Sequence, residues 1–360
     1  MTFREHFSDI KCDLWTHLAN SKKPIVLYGM GDGADKIYDQ LESRNIMVSG
    51  VFASEGFVPK NDKFFRGLKI LSYNTAKETF KDMIVLVCFG TKLDEVIENI
   101  NKIQDEQELY APDVPVFGER ILDTKYFNDN FTRFQTVYNL LCDDISKNAF
   151  VNSIKFRLTG KIKYLSGCET TIDESYKTII SKKEIKNYID IGAYNGDTIR
   201  ELVSQLNISP KISAFEPDKR NFKKLNEFCV SSNYDITPYN FAAWNKTEEI
   251  TFYSRSGRNS ASTTSHKGEK TININAVAVD EICESADYIK IDAEGSDKNA
   301  ILGLQNLIKK DAPLLNIAAY HRTEDYFDIP ETVLSINSNY KIYFRHFKHI
   351  PCWDTNFYFI

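Results

Sequence analysis

Residues 188–202 read YIDIGAYNGDTIREL, and this stretch decides the fold of the C-terminal half of the chain. Its apolar start predicts a buried strand that ends near Asp190, and a helix is predicted to begin near Asp197. Gly192 and Gly196 lie in the turn between them, where the missing side chain lets the backbone turn tightly and approach a ligand. The exposed amides at the start of the helix suit a polar or anionic ligand group. We therefore expect a binding corner between this strand and this helix.

A carboxylate follows the next predicted strand at the spacing that a doubly wound nucleotide site uses. Glu216 lies in AFEPD, twenty residues after Gly196. An acid at the tip of the second strand holds ribose hydroxyls in sites of that kind. Glycine turns also occur at strand–helix corners that bind nothing, so the spacing to Glu216 carries the prediction of a nucleotide-type ligand.

Two further landmarks lie later in the chain. Residues 287–302, DYIKIDAEGSDKNAIL, predict a strand that ends in Asp292 and Glu294 and is followed by a helix. Carboxylates at the carboxyl end of a central strand lie where substrates bind in open α/β sheets. The tail has two aromatic-rich strands, at 340–347 and 357–360, which are close enough in sequence to pair only as an antiparallel hairpin.

Strands and helices alternate along most of the chain, which predicts an α/β fold in two parts. The N-terminal stretch IVLYGMGDGADKIYDQL, from residue 25, gives a strand, a glycine-rich turn and a helix, and buried-type strands follow at Val48–Ala53 and Ile84–Phe89. The expected division is an N-terminal helix over 1–20, a small Rossmann-like α/β domain over 21–125, a helical connector over 126–182 and a C-terminal domain over 183–360.

Local patterns refine three of these elements. Phe3, Phe7 and Leu14 recur at helical spacing, which predicts one amphipathic helix at the N-terminus. A further strand is predicted at Ile250–Ser254 in the C-terminal domain. A late helix is predicted to start at Pro330, because proline is tolerated in the first turn of a helix.

The composition excludes several classes of protein. The 360 residues are 42% hydrophobic and 26% charged, as in globular proteins. The net charge of −5 gives no electrostatic reason to expect a nucleic-acid partner. The sequence contains no run near the ~20 apolar residues of a membrane span, and its N-terminus lacks a signal peptide's apolar block. The seven cysteines form no CxxC pair, so we expect neither disulfides nor a metal site, and a cytoplasmic protein.

Several motifs occur in an order that resembles one known family. DIGAYNGDT, AFEPD, NFAAW, VAVDEI, YIKIDAEG and the tail HFKHIPCWDTNFYFI are similar to those of the FkbM-type S-adenosylmethionine-dependent methyltransferases, over roughly 186–360. The resemblance implies a class I methyltransferase domain, whose Rossmann-like, seven-stranded sheet ends in an antiparallel hairpin. It also implies S-adenosylmethionine as the cofactor and, typically, O-methylation of sugars or natural products. Tyr194 departs from the pattern, since many members carry Asn there.

The resemblance also assigns residues to the cofactor. The turn would line its methionine end, Glu216 would hold its ribose, and residues up to Trp244 would lie near its adenine. Asp190 is alternatively a helix or turn cap, and Trp244 is alternatively a core residue. The residues expected to bind the cofactor are Asp190, Gly192, Ala193, Tyr194, Asn195, Gly196, Thr198, Glu216, Asn240, Ala242 and Asp292.

A hydroxyl acceptor must lose a proton during methyl transfer, so a general base is expected near the cofactor. The candidates are Asp292, Glu294 and His321. His321 follows the fifth strand on the same rim as Asp292, and an ordinary histidine pKa near ~6.5 suits proton transfer. Alternatively, His321 bonds a loop carbonyl, and the two carboxylates pair with Lys290 or Arg322.

Two segments outside these motifs have open roles. Residues 254–268, SRSGRNSASTTSHKG, are a polar loop that either contacts a sugar or phosphate or is an ordinary solvated loop. Gly29, Gly31 and Gly33 resemble a dinucleotide-binding turn, but Ala53 stands where the ribose-binding acid is expected. Nucleotide-sugar binding and structural support are both open for this turn.

The functional prediction is an S-adenosylmethionine-dependent methyltransferase that acts on a hydroxyl of a sugar, a glycan precursor or a related small molecule. Its expected partner is that small-molecule or carbohydrate acceptor, with no nucleic acid and no membrane span. One alternative is an NAD(P)-dependent sugar-nucleotide oxidoreductase that uses the N-terminal glycine turn. The other is a catalytically silent member that serves as a binding or scaffold protein.

Overall fold

Two sheets of mainly parallel strands lie on either side of a helical connector along the chain. The computed structural model describes residues 2–57, 63–254 and 270–360. Within these ranges a third sheet, of three strands, accompanies the C-terminal one. The α/β class expected from the sequence is confirmed.

The N-terminal sheet is built on two fully buried strands. Its strands are β1 (Ile25–Tyr28), β2 (Val48–Ala53), β3 (Phe64–Phe65), β4 (Leu68–Ser72), β5 (Ile84–Val87) and β6 (Glu108–Tyr110), and its helices are α1 (Leu14–Asn20), α2 (Asp32–Glu42), α3 (Tyr73–Phe80) and α4 (Asp94–Glu106). The spatial order is β3–β4–β2–β1–β5–β6, with β3 and β4 antiparallel and the other pairs parallel. β1 and β5 are buried at every residue, which is why both read as uninterrupted apolar runs.

Two of the three glycines in the turn after β1 pack against the chain's own atoms, whereas Gly31 has no atom within 4 Å of a Cβ position. Gly29 has φ +114°, and a Cβ there would lie 2.9 Å from the ring of Phe89. A Cβ at Gly33 would lie 2.3 Å from the carbonyl oxygen of Cys88. Both glycines are therefore required where α2 and its turn pack against the end of β5. This packing explains them without a ligand and favours structural support over dinucleotide binding.

The N-terminal segment is not the single helix that the spacing predicts. A 3-10 helix covers Arg4–Phe7, and α1 begins only at Leu14, where the side chain of Asp13 caps it. Phe3 and Phe7 pack in the core of the C-terminal sheet, whereas Leu14 packs in the N-terminal core. The break lets one segment serve two cores, which a single helical face does not allow.

The connector consists of short helices and one short strand. These are α5 (Thr124–Asp129), α6 (Phe131–Leu140), α7 (Asp144–Thr159), α8 (Lys163–Ser166), β7 (Glu169–Thr170) and α9 (Ile172–Thr178). Further 3-10 helices cover Glu55–Phe57, Ile180–Lys182 and Val279–Glu281. Among the helices described, none is long and apolar enough to cross a membrane.

The C-terminal sheet has eight strands rather than seven in the described residues. The elements from β8 onward are β8 (Asn187–Ile191), α10 (Asp197–Leu206), β9 (Lys211–Phe215), α11 (Lys219–Ser231), β10 (Asp235–Tyr239), β11 (Ala242–Ala243), β12 (Glu248–Ser254), β13 (Lys270–Val277), β14 (Tyr288–Ile291), α12 (Asp297–Leu302), α13 (Gln305–Asp311), β15 (Leu314–Ala318), α14 (Asp325–Ile336), β16 (Ile342–Phe347) and β17 (Thr355–Phe359). The order is β10–β9–β8–β14–β15–β17–β16–β7. β16 and β17 form the expected antiparallel hairpin, and β7 of the connector adds the eighth strand.

The strand predicted at Ile250–Ser254 lies outside this sheet. It is β12, which pairs antiparallel with β13, and β13 also pairs with β11 to complete the three-stranded sheet. β13 follows the polar segment 254–268, which lies outside the described residues apart from Ser254 at the end of β12. The predicted strand is therefore part of a hairpin in the small sheet and not a strand of the large sheet.

The helix expected to start at Pro330 starts earlier. α14 begins at Asp325 and contains Pro330 in its interior. The Asp325 carboxylate accepts a hydrogen bond from the backbone N–H of Arg322 (2.7 Å), which fixes the preceding turn. Tyr326 and Phe327 then pack into the core, and their burial offsets the backbone hydrogen bond that proline cannot donate.

The connector covers the outer edge of β16 at alternate residues. The N–H of Cys142 donates to the carbonyl of Ile342 (2.9 Å), and the N–H of Phe344 donates to Ser146 Oγ (2.9 Å). β7 pairs with β16 from His346 onward. The connector is thus tied to the sheet by hydrogen bonds to backbone groups of β16 at Ile342, Phe344 and from His346 onward.

Arg345 fastens the same junction with its side chain. It has no exposed surface, and its guanidinium lies 2.8 Å from Asp143 Oδ2 and 2.8 Å from Glu174 Oε2. Asp143 caps α7, and Glu174 lies on α9, so one cation joins two connector helices to β16.

We expect Arg345→Met to lower the free energy of unfolding by about 3 kcal/mol, because two largely buried carboxylates lose their cation. Urea unfolding measures the loss. Lys77→Met is the control, since it breaks an exposed ion pair with Glu106 (2.8 Å) and should cost less than about 1 kcal/mol. Equal losses in the two variants would contradict a structural role for Arg345.

Candidate functional site

The turn between β8 and α10 carries three residues with left-handed backbone angles. φ is +76° at Gly192, +47° at Tyr194 and +80° at Gly196. A Cβ at Gly192 would lie 2.0 Å from the carbonyl oxygen of Asp292, so glycine is required where the tips of β8 and β14 meet. A Cβ at Gly196 would lie 2.3 Å from the ring of Phe228, so the second glycine is required by the packing of α11.

Asp190 lies beneath this turn and has no exposed surface. Its Oδ2 accepts a hydrogen bond from the hydroxyl of Thr198 (2.6 Å). Among the described residues, its Oδ1 has no hydrogen-bond partner. Burial raises the pKa of Asp190, and the nearby Lys290 ammonium opposes that rise. Asp190 and Thr198 therefore support the turn from below in this conformation.

Lys290 connects the turn to the end of β14. It is 8% exposed, and its ammonium donates to the carbonyl of Gly192 (2.9 Å). Nζ lies 3.6 Å from Asp190 Oδ1 and 3.8 Å from Asp292 Oδ2. Burial alone would lower the pKa of Lys290, but the two carboxylates raise it above its ordinary value. Lys290 is therefore a buried cation between two strand tips.

Glu216 lies directly after β9, beside the turn. Its carboxylate accepts hydrogen bonds from the N–H of Tyr194 (3.0 Å) and the N–H of Asp218 (2.8 Å), one at each oxygen. Asn240 fixes the same loop by donating to the carbonyls of Glu216 (2.8 Å) and Pro217 (3.0 Å). Burial raises the pKa of Glu216 to about 7. Glu216 is 6% exposed, and each of its oxygens accepts one hydrogen bond, which leaves each a second acceptor position.

The other residues predicted to bind the cofactor are divided between the surface and the core. Tyr194 is 43% exposed, and the side-chain amide oxygen of the partly exposed Asn195 accepts a hydrogen bond from Arg200 (3.2 Å). Ala193 and Ala242 are buried, in the core and in β11. The side chains of Tyr194 and Asn195 are therefore accessible to a ligand, whereas those of the two alanines are not.

A second polar group lies after β14. The side chain of Asp292 is 32% exposed, His321 Nε2 lies 3.1 Å from its Oδ1, and the hydroxyl of Tyr320 donates to it at 3.3 Å. Burial alone would raise the pKa of Asp292, but Lys290 and His321 hold it well below its usual range. Asp292 is therefore an anion that a ligand can reach.

His321 lies behind Asp292 and has no exposed surface. Its Nδ1 is 2.8 Å from Asp297 Oδ2. Burial alone would lower the pKa of His321, but Asp297 and Asp292 raise it well above its ordinary value. The imidazole is therefore a buried cation between two carboxylates, and an acceptor cannot touch it in this conformation.

Asp297 also shapes the loop of residues 292–297, which we call the carboxylate loop. Its Oδ1 accepts the N–H of Ala293 (2.8 Å), and its Oδ2 accepts the N–H of Gly295 (3.2 Å). Two consecutive residues of this loop have positive φ, +49° at Glu294 and +82° at Gly295. Positive φ at a non-glycine residue persists only where the surroundings determine it strongly.

Glu294 is the most accessible acid of the carboxylate loop. Its side chain is 47% exposed, and Oε2 lies 3.9 Å from His321 Nε2. Partial burial, together with the nearby carboxylates of Asp292 and Asp297, raises the pKa of Glu294 to about 7. Glu294 therefore combines exposure with a pKa near neutrality.

Asp297, His321 and Asp325 form a buried group whose possible metal-ligand atoms lie within 4.8 Å of one another, in the part of the chain that the structure describes. Their hydrogen bonds account for the cluster. Asp297 and His321 bond each other, and Asp325 accepts the N–H of Arg322. Burial raises the pKa of Asp325 to about 7, with the Asp297 carboxylate adding to the effect. The geometry does not call for a metal ion.

A cavity of about 190 Å³ is lined in part by Gly295 and Ser296 of the carboxylate loop. Its lining combines one indole with cationic, anionic and amide side chains, which suits a polar ligand. The lining residues are Trp244, Gly295, Ser296, Lys298, Asn299, Arg322, Glu324, Asp325 and Asp328. Trp244 thus faces a cavity next to the carboxylate loop.

Sequence reasoning did not assign functional roles to three residues of this site. The sequence does contain a sign that Lys290 is unusual, because a charged residue stands between Ile289 and Ile291 in a buried strand. Asp297 looks like an ordinary first-turn acid of a helix, and Tyr320 like a strand end. Their partners come from distant segments, so no local pattern reveals their contacts.

Comparison with solved structures finds the same fold over nearly the whole chain. The methyltransferase FkbM from Methylobacillus flagellatus KT is similar, with 20% identity, a TM-score of 0.69, and coverage of 99% of this chain and 92% of that chain. A putative rRNA-methylase from Clostridium thermocellum has 10% identity and a TM-score of 0.36, over 53% of this chain and 95% of that chain. A putative O-methyltransferase from Klebsiella pneumoniae has 11% identity and a TM-score of 0.33, over 61% and 90%. TM-scores of 0.36 and 0.33 do not establish a shared fold for the last two proteins.

Comparison with sequence families identifies the domain that holds the site. No curated protein matches the chain. The family of the methyltransferase FkbM domain matches residues 190–343, which include Asp190, Glu216 and the carboxylate loop. The predicted family is confirmed, and with it S-adenosylmethionine as the cofactor at the level of the family. Residues 190–343 of this chain therefore match the methyltransferase FkbM domain.

Proposed function

We propose that this protein is an S-adenosylmethionine-dependent O-methyltransferase that methylates a hydroxyl of a sugar, a glycan precursor or a related small molecule. The observation that carries the proposal is the meeting of three strand tips. The glycine turn and Glu216 follow β8 and β9, and the accessible carboxylates Asp292 and Glu294 follow β14. These positions support a cofactor site and an acid–base group at one edge of the sheet.

The residues at the turn fit this cofactor. Glu216 keeps acceptor positions for the ribose hydroxyls. Tyr194 and Asn195 lie on the accessible side of the turn, where the methionine end would be held. Asp190 and Thr198 are hydrogen-bonded to each other beneath the turn, and Asp190 has no exposed surface. We propose that these two residues position the turn and do not touch the cofactor.

The chain's own residues orient the acceptor and accept its proton. When bound, S-adenosylmethionine supplies a methyl group on a sulfonium for in-line displacement, so orientation accounts for much of the rate. Glu294 is proposed to take the hydroxyl proton, because it is accessible and its pKa is raised to about 7. The pKa of Asp292 is lowered and His321 already carries a proton, so we propose that they orient the acceptor and the loop.

The cavity beside the carboxylate loop supports a polyhydroxylated acceptor. Lys298, Asn299 and Asp328 are lining residues with donors and acceptors, and Trp244 is a lining residue with an apolar ring. Sugars present hydroxyls at their rim and C–H groups on their faces, so they match this combination.

Affinity for S-adenosylmethionine should depend on the charge of Glu216. The carboxylate predominates above pH 7 and the neutral acid below it, because the pKa of Glu216 is raised to about 7. We expect the affinity to fall about tenfold per pH unit below 7 and to level off above it, if the carboxylate binds the ribose. Calorimetric titration at pH 6 and pH 8 measures this.

The control for that titration is the variant Glu216→Gln, which should bind more weakly and lose this part of the pH dependence. Groups on the cofactor that titrate affect both proteins equally, so the difference between them reports Glu216. Glu227→Gln, at a 65% exposed carboxylate of α11, should match the wild type. Identical pH profiles for wild type and Glu216→Gln would contradict the ribose assignment.

Replacing the proposed base should lower turnover and leave cofactor binding intact. Glu294→Gln is expected to slow methyl transfer by ~10²–10⁴-fold, while affinity for S-adenosylmethionine changes less than about twofold. Turnover is measured as S-adenosylhomocysteine release in the presence of a mixture of monosaccharides and sugar nucleotides. The wild-type rate should rise with pH through about 7, as Glu294 loses its proton.

Glu284→Gln is the matched control, because Glu284 is exposed and precedes the amino end of β14, at the other end of that strand from Glu294. It should keep full turnover. Full activity in Glu294→Gln would exclude Glu294 as the base. Release that stays at background with every sugar, despite cofactor binding, would contradict a carbohydrate acceptor.

A further inference from the structure

The segment of residues 111–122 follows the N-terminal sheet and reaches the carboxylate loop of the C-terminal domain; we call it the bridging segment. The N–H of Phe117 donates to the carbonyl of His321 (2.9 Å). The Phe117 ring meets the His321 imidazole edge to face, with centroids 5.9 Å apart. A Cβ at Gly295 would lie 2.8 Å from Phe117 Cβ, so Phe117 packs directly on the carboxylate loop.

The bridging segment is itself held rigidly on both sides. Asp113 forms an ion pair with Arg157 of α7 (2.7 Å), and both side chains are less than 10% exposed. Lys36 of α2 donates to the carbonyl of Val116 (2.8 Å). Thr323 donates to the carbonyl of Arg120. Helix α2, the connector and the C-terminal domain thus all hold the bridging segment around Phe117.

The carboxylate loop needs such support because of its backbone. Glu294 and Gly295 are consecutive residues with positive φ, a conformation that glutamate keeps only where its surroundings hold it. Asp297 holds two N–H groups of the loop, and Arg322 Nε holds the carbonyl of Gly295 (2.8 Å). Phe117 adds a constraint from outside the matched family domain.

We propose that Phe117 is a positioning residue for methyl transfer: by packing on Gly295 and His321 it holds the carboxylate loop in the conformation that presents Asp292 and Glu294 to the acceptor. The N-terminal part of the chain is then a structural component of the active site. This inference rests on the proposed function, since it assigns to Phe117 an effect on that reaction.

Hydrogen exchange of the full chain tests the contact without any ligand. In Phe117→Ala, the amides of residues 293–297 should exchange at least about tenfold faster, while those of β8 stay within about twofold of the wild type. Phe127→Ala is the matched control. Phe127 is buried to a similar extent (6% exposed, against 7%), but its ring packs against Phe7, Phe131 and Phe134. It should leave the exchange of 293–297 unchanged.

Phe117→Leu keeps an apolar side chain and loses the ring edge toward His321. We expect it to raise the exchange of the same amides about threefold, so it tests the proposal should the alanine variant not fold. Unchanged loop exchange in the Phe117 variants overturns the proposal. So does a rise in Phe117→Ala that is matched in β8 or in Phe127→Ala, because it would indicate general loosening.

Two functional measurements separate positioning from binding. In Phe117→Ala, calorimetric affinity for S-adenosylmethionine should change less than about twofold, while S-adenosylhomocysteine release with the same sugar mixture falls at least about tenfold. Unchanged release, or a loss explained by weaker cofactor binding, overturns the positioning role. If the wild type itself binds no cofactor, the proposed function fails, and the exchange data still decide whether Phe117 holds the loop.

Discussion

Lys290 places a buried ammonium group between Asp190 and Asp292, the polar residues at the ends of two neighbouring strands. An ion removed from water costs several kcal/mol unless an opposite charge or hydrogen bonds compensate it. Asp190 has no exposed surface, so its charge depends on this ammonium and on the hydroxyl of Thr198. The same ammonium also donates to the carbonyl of Gly192. One cation therefore fixes the turn after β8 and the reachable carboxylate of Asp292 relative to each other.

The strand order makes this arrangement possible. β8 lies between β9 and β14, so the turn after β8 has Glu216 on one side and Asp292 on the other. Parallel strands bring their carboxyl ends to one edge, and ligands of open α/β sheets bind at that edge. The missing Cβ of Gly192 lets the tips of β8 and β14 approach closely enough for Lys290 to reach both. The glycine in the turn, the strand order and the charge of Lys290 thus all determine how the ends of β8 and β14 are arranged.

The sequence predicts those parts of the site that follow directly from strand ends. The turn at 192–196, Glu216 and Asp292 each come after a recognisable apolar run, and parallel pairing then brings them together. The burial of His321 could not be predicted, because it depends on Asp297 and on Phe117, which is about two hundred residues away in the chain. The break in the N-terminal helix was missed for a related reason, since Phe3 and Leu14 share a helical period but pack in different cores. Long-range packing, which periodicity does not report, decides these features.

The hydrogen bonds between the connector and β16 have a consequence for association with other chains. An uncovered outer strand offers unpaired N–H and C=O groups, and it can template strand addition or aggregation. Here Cys142, Ser146 and β7 occupy those groups along β16. At the opposite edge, β10 contains Pro238, which has no N–H to donate. Both borders of the large sheet are therefore poor templates for strand addition by a second copy.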